Sequence, residues 1–394
     1  MSQIHQLYGM SASLYMGKIR SYLRKQHIPF VERVGGDPHF AETIVPAVGR
    51  MIMPVLEAPN GALIQDGADI IDFFEQQAAA NNEPMRLPAY PSTAVVRAVA
   101  YLFELFGGEG LLRPAMHYRW NFDEANLSFL KDDFMASLLP GADDEVAEQA
   151  FDFASKRMRA AAVAFGVTPE SIPVIEKSYA EFLELFSAHL KTAPYLLGGR
   201  PTIGDYGLIA PLFAHLARDP YPSLHMRQLA PNVFRYVERM NAPEQVLTDG
   251  FSPSEALFPD EEIPVTLKSL MRYVAQEYLP ELKAQVQFAN EWIDKNPQLK
   301  TGTNGLKKPS SRVIGSAEFD WRGISLKISV MPYRFYLLQR LQDSVMKVSP
   351  AEQRAIADLF SETGLLEIFD LTTYRRVERV NHLEVWGPDL RVSD

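Results

Sequence analysis

The chain contains no cysteine, which excludes disulfides, thiolate metal sites and cysteine nucleophiles together. Thiol chemistry here requires a thiol brought by a ligand. No apolar run approaches the ~20 residues of a membrane-crossing helix, so no membrane association is expected. The opening MSQIHQLYGM lacks the basic and apolar regions of a secretory signal, and a cytoplasmic location is expected. Positive charge is also in deficit, with 39 Lys and Arg against 49 Asp and Glu, a net charge of −10. That balance disfavours a polyanion-binding surface, so nucleic acid is not an expected partner. The eight histidines form no HExxH, and neither a GxxxxGKS/T loop nor a GxGxxG after a strand occurs. Metal-hydrolase, nucleotide-phosphate and Rossmann chemistries therefore lack their residues, and no metal is expected.

What is present is an ordinary globular composition, 47 % apolar and 22 % charged over 394 residues. At roughly 150 residues per domain, this length implies two or three domains. The most informative stretch is Arg50 to Glu75, RMIMPVLEAPNGALIQDGADIIDFFE. It reads as a short apolar strand containing Pro54, a turn at Pro59-Asn60-Gly61, a strand Ala62 to Gln65, and a helix opening at Asp66 or Gly67. Proline cannot donate to a sheet ladder, so Pro54 marks either an edge or a special bend, of which a cis peptide is one kind. The helix start leaves backbone N–H groups free and makes a ready site for a carboxylate.

Upstream, Gln3 to Tyr8 reads as a strand, Tyr15 to Lys25 as a helix, and His27 to Val34 as a second strand. In that helix Ile19, Tyr22 and Leu23 fall at core spacing, while Lys18, Arg20, Arg24 and Lys25 are expected to face water. Strand, helix, strand, then strand, strand, helix is the thioredoxin-like α/β arrangement. Residues 81–92, NNEPMRLPAYPS, read as a linker. From Thr93 to about Phe258 only helical patterns appear, and Ile263 to Ile293 adds more, with Pro280 as a kink or break. Gln298 to Ser311 reads as a flexible connection. Beyond it, Ala317 to Trp321 and Ile324 to Val330 suggest a β-hairpin. Helices are expected over Pro332 to Val345 and Ser349 to Ser361, the latter with the capping box Ser349-Pro350-Ala351-Glu352. The tail Tyr374 to Trp386, YRRVERVNHLEVW, alternates in polarity and carries no functional motif.

Four segments together resemble the glutathione transferase superfamily: LYGMSASLYMGKIRSYL, IMPVL, IQDGADIIDFFE and PYLLGGRPTIGDYGLIAPLF. They are similar to the family's first strand, catalytic loop and helix, its cis-proline segment, its acid-plus-hydroxyl glutathione motif, and the signature helix of its second domain. The resemblance covers roughly residues 3 to 245. It implies a thioredoxin-like glutathione-binding domain over 1–82 and an all-helical domain over 93–297, followed here by a small α+β extension over 312–394. In the fourth segment Thr202 and Asp205 can cap the helix Asp205 to Leu216 reciprocally, which is a folding role.

The resemblance places Ser13 in the catalytic position, where a hydroxyl at a helix start could hold the thiolate of bound glutathione. A free thiol of pKa ~8.5 is only a few per cent ionised at pH 7, so such a contact multiplies the nucleophile. Read alone, Ser13 is better explained as a helix cap. Ser11 and Tyr8 are the reserves. Met53, ahead of Pro54, takes the place that pairs with the tripeptide's main chain, and Arg50 is a candidate for its glycyl carboxylate. Asp66 could pair with the γ-glutamyl ammonium. Gly67 departs from the family by offering no hydroxyl, a loss of ~1.5–3 kcal/mol where a charged group is bound. His117, Tyr118, Arg119 and Trp120 occupy the region where the family builds its acceptor pocket; the blander reading is a buried aromatic anchor.

Two functions follow. One is a glutathione transferase using glutathione as cosubstrate against a small hydrophobic electrophile, as a homodimer. The other is a non-catalytic member whose fold is a scaffold, with the module from about Gly302 as its distinguishing surface.

Overall fold

The computed structural model describes residues 4–244 and 250–391. Strand β1 (His5–Gly9), helix α1 (Leu14–Lys25) and strand β2 (Phe30–Val34) form the expected parallel unit. A short helix α2 (Val45–Val48) follows, and β3 (Val55–Glu57) and β4 (Leu63–Gln65) add antiparallel, giving the order β2-β1-β3-β4. Helix α3 (Gly67–Ala80) completes the unit. The Met53–Pro54 peptide is cis, and β3 is paired on both sides, so Pro54 marks a bend and not an edge.

The helical part runs through α4 (Ala94–Leu105), α5 (Leu112–Trp120), α6 (Asp123–Leu138), α7 (Asp144–Ala164), α8 (Ile172–His189), α9 (Ile203–Pro211), α10 (Pro220–Leu229), α11 (Pro231–Asn241), α12 (Val265–Glu277) and α13 (Leu279–Asp294). Pro280 lies in the first turn of α13, a break where its missing N–H costs nothing. α9 is shorter than the expected Asp205 to Leu216 helix, because past Pro211 the chain continues as a wider turn over Leu212–Ala217. The Asp205 carboxylate accepts from the N–H groups of Thr202 and Leu196, both at 2.8 Å, and from the Tyr236 hydroxyl at 3.1 Å. It anchors the start of α9 to its surroundings.

The last module holds the hairpin β5 (Gly315–Trp321) and β6 (Ile324–Val330), helices α14 (Tyr333–Met346) and α15 (Pro350–Glu362), and the hairpin β7 (Arg375–Val380) and β8 (Leu383–Asp389). The Ser349–Glu352 capping box is formed. The segment 298–311 is not the free connection expected: the Gly302 N–H donates to the Trp386 carbonyl, and the Trp386 N–H to that of Thr303, both at 2.9 Å.

One apolar core runs from α1 through α4 and α9 into α14, joining Ile19, Val99, Leu208 and Leu338. This embedding overturns the expected wet face of α1. Lys18, Arg20 and Lys25 are buried, each with a polar partner: Lys18 on Glu104 at 2.6 Å, Arg20 on Glu32 at 2.8 Å, and Lys25 on the Glu244 carbonyl at 2.7 Å. Helical spacing identified the apolar stripe; partners distant in sequence then drew the charged residues inward.

Candidate functional site

β4 delivers the chain into α3 through Asp66, whose backbone is held at φ 95°. A non-glycine residue in that region stores strain and points to a functional constraint. The Asp66 carboxylate caps the helix, accepting from the Ala68 N–H at 2.8 Å, and the same oxygen accepts from the Tyr333 hydroxyl at 2.8 Å. Tyr333 opens α14, so the first contact at the expected γ-glutamyl position comes from the C-terminal module. Burial and the nearby Asp66 charge push the Tyr333 phenol well above its ordinary pKa, which keeps it a donor.

The hairpin of β7 and β8 completes the enclosure. Arg379 donates to the Gln65 carbonyl at 3.0 Å, to the Gln65 side chain at 2.7 Å and to Asp69 at 2.7 Å. Glu384 takes both Arg50 nitrogens, at 2.6 and 3.0 Å, and also accepts from Arg379 at 2.9 Å. Arg50 further donates to the His382 carbonyl at 3.0 Å. The Arg50 and Glu384 side chains are only 5 % and 7 % exposed, so this pair is a buried one. Burial alone would raise the Glu384 pKa, but the Arg50 hydrogen bond and the charges of Arg312, Arg50 and Arg379 outweigh it and hold it at about 2. The residues expected at the two ends of a bound tripeptide are thus engaged by the chain itself.

The middle differs. Ser13 is half-buried ahead of α1 and makes no cap hydrogen bond, while its N–H donates to the Met10 carbonyl at 3.0 Å. Met53 is half-buried beside the cis bond. Ser11 accepts from Arg20 at 3.4 Å. Tyr8 is buried against Phe40 and donates to Glu57 at 3.1 Å, which makes it part of the sheet's packing. A β-carbon on Gly67 would meet Lys18 Cδ at 3.0 Å, so a hydroxyl residue there requires that flexible side chain to shift.

His117, Tyr118, Arg119 and Trp120 are all buried in α5. Arg119 holds Asp219 with two nitrogens, at 2.7 and 2.8 Å, and donates to the carbonyls of Ala12 and Ala214. His117 accepts from the Asn121 amide and faces Glu176 at 3.0 Å; burial lowers its pKa. Tyr118 stacks on Phe122, and Trp120 lies beneath Arg159. The structure brings these four together in α5 as packing contacts, within the helical part and, through Arg119, to the loop ahead of α1.

Sequence reasoning missed Tyr333, Arg379, Glu384 and Tyr15. The Tyr15 hydroxyl donates to Glu109 at 3.3 Å, and Arg334 of α14 meets the same carboxylate at 3.0 Å. The available signal was the charge alternation of RRVERVNHLE, which is unusual for an outward tail; nothing in it named the partners. Among the described residues, no group of His, Asp and Glu could hold a metal, and no helix is long and apolar enough to cross a membrane.

The model of the glutathione S-transferase N-terminal domain matches residues 7–82, and that of the C-terminal domain matches residues 146–239. Curated proteins offer no match. Among solved structures, a glutathione S-transferase from Rhodospirillum rubrum F11 is 14 % identical, covering 68 % of this chain and 92 % of its own, with a TM-score of 0.36. A glutathione transferase from Phanerochaete chrysosporium is 13 % identical over 63 % of this chain and all of its own, TM-score 0.42. One from Methylobacterium radiotolerans, in complex with glutathione sulfonate, is 20 % identical over 60 % of this chain and 90 % of its own, TM-score 0.33. Overlays this loose add nothing to the assignment, which rests on the two domain matches. Matched in order on a thioredoxin-like unit and a helical one, the two models show that residues 7–82 and 146–239 carry the N- and C-terminal domains of the glutathione S-transferase superfamily.

Proposed function

We propose that this chain is a glutathione-transferase-fold protein whose glutathione site is closed by its own C-terminal module, so that the resting chain is a non-catalytic scaffold. The observation that carries this is the double engagement of the site's ends, Arg50 by Glu384 and Asp66 by Tyr333. A tripeptide needs those same groups for its carboxylate and its ammonium. A ligand carboxylate that takes these two Arg50 nitrogens must displace Glu384, and exchanging one buried ion pair for another gains little. His117, Tyr118, Arg119 and Trp120 serve in this reading as packing anchors and not as an acceptor pocket.

Calorimetric titration of glutathione into the full chain tests the reading. The expected result is no saturable heat up to several millimolar, and binding in the micromolar range contradicts it. The transferase reading keeps one observation in its favour, the Ser13 hydroxyl that no helix N–H occupies. It expects turnover with glutathione and a hydrophobic electrophile that Ser13→Ala abolishes with little change in KM. Assembly is tested separately by light scattering, where the family reading expects a homodimer of 44.4 kDa chains.

A further inference from the structure

We infer that the β7–β8 hairpin is an internal counter-ligand, a displaceable occupant that stands in for the two charged ends of a zwitterionic peptide of the glutathione type. This rests on the closed-site reading and adds to it how the site is held shut and what would open it.

The charge order supports the inference. The hairpin offers a cation, Arg379, to the acidic side at Asp69 and the Gln65 carbonyl, and an anion, Glu384, to Arg50. An ammonium and a carboxylate on one small peptide would satisfy the same partners. The fit of the hairpin is also incomplete. The Nε atoms of Arg50 and Arg312 are buried without a partner, and one Glu384 oxygen is shared by Arg50, Arg312 and Arg379. Buried donors left unsatisfied penalise the occupant, and a ligand that reaches them gains by comparison.

Strain at the turn acts in the same direction. Asn381 and His382 lie at φ 48° and 69°, a two-residue turn that favours Asn-Gly, with histidine where glycine is at ease. His382 is also the residue whose carbonyl receives Arg50. A cleft of about 560 Å³ between α3 and the module, lined by Asp69, Tyr336 and Arg379 among others, reaches the cationic side of the hairpin. A two-stranded hairpin is marginal on its own, so what holds this one is the polar contact set together with Trp386, buried against Phe335 and Trp292. Removing its charges is therefore expected to loosen the hairpin and leave α14 in the core, with Tyr333 on one Asp66 oxygen and the other oxygen left to receive an ammonium.

The test compares glutathione binding by calorimetry in three full-length chains: wild type, Glu384→Gln, and Arg379→Gln with Glu384→Gln, each checked for folding by thermal melting. The wild type is expected to show no saturation to several millimolar, and the double variant to bind at least about tenfold tighter than that limit. A folded double variant that still binds nothing overturns the counter-ligand inference and leaves the closed-site reading standing. A wild type that binds in the micromolar range with its hairpin amides still protected from hydrogen exchange overturns both. Should the double variant fail to fold, Glu384→Gln alone decides: saturable binding supports displacement, and none at about 10 mM overturns it.

Discussion

Two parts of the C-terminal module meet the rest of the molecule by different physics. Helix α14 buries Phe335, Leu337, Leu338 and Leu341 in the common core, an attachment that scales with apolar area at ~25 cal/mol per Å² and is supplemented by polar contacts from Tyr333, Arg334 and Tyr336 in its first turn. The β7–β8 hairpin meets α3 and the Arg50 segment through Arg379 and Glu384, by directional contacts between charges removed from water. The first kind of attachment fixes the module in place. The second can be exchanged for another set of charges, which is why closure and folding need not fail together.

The comparison breaks most visibly when one charge of the buried pair is removed. Arg50→Ala leaves Glu384 with only Arg379 and Arg312 nearby, and breaking a buried pair in this way costs about 3–5 kcal/mol in urea unfolding. Replacing both members with apolar residues of similar volume, Arg50→Met with Glu384→Leu, is expected to recover little of that loss, because Glu384 also holds Arg312 and Arg379. On the apolar side, Leu341→Ala is expected to cost about 3 kcal/mol by leaving a cavity, with no gain in glutathione binding. A variant that lost stability here and also gained the ligand would show that the seating of α14, which carries Tyr333, governs closure more than the hairpin charges do.

Acid sharpens the distinction. Glu384 has its pKa depressed from 4.5 to about 2 in the folded chain, so its stabilisation is fully present above pH 4.5 and is lost as pH falls through about 2. The gap corresponds to about 3 kcal/mol. The stability difference between wild type and Glu384→Gln should therefore shrink by about that amount between pH 6 and pH 2, measured by urea melts at each pH. A constant difference would mean that Glu384 is not ionised against Arg50. The smallest effect is at the turn: His382→Gly should stabilise the chain by about 1 kcal/mol by relieving a left-handed residue. On the counter-ligand inference, it should also strengthen closure.

How much of this was legible beforehand follows the same division. Local chemistry was readable: the cap at Ser349, the break at Pro280, the bend at Pro54 and the helix start at Asp66 all depend on residues a few positions apart. The closure of the site depends on pairs such as Arg50 with Glu384 and Asp66 with Tyr333, separated by 334 and 267 positions. A single sequence carries no information on which arginine meets which glutamate at that distance. The same limit explains why Lys18, Arg20 and Lys25 were expected at the surface: their partners lie on other elements.

A double-mutant cycle on Arg50 and Glu384 tests directly whether the hairpin closes the site in solution. Arg50→Ala, Glu384→Ala and the double variant are each unfolded in urea. Closure predicts that the double variant loses little more than either single one, a coupling of at least about 1.5 kcal/mol. Additive losses, with coupling near zero, would mean that the two side chains do not meet and that the ends of the site are open.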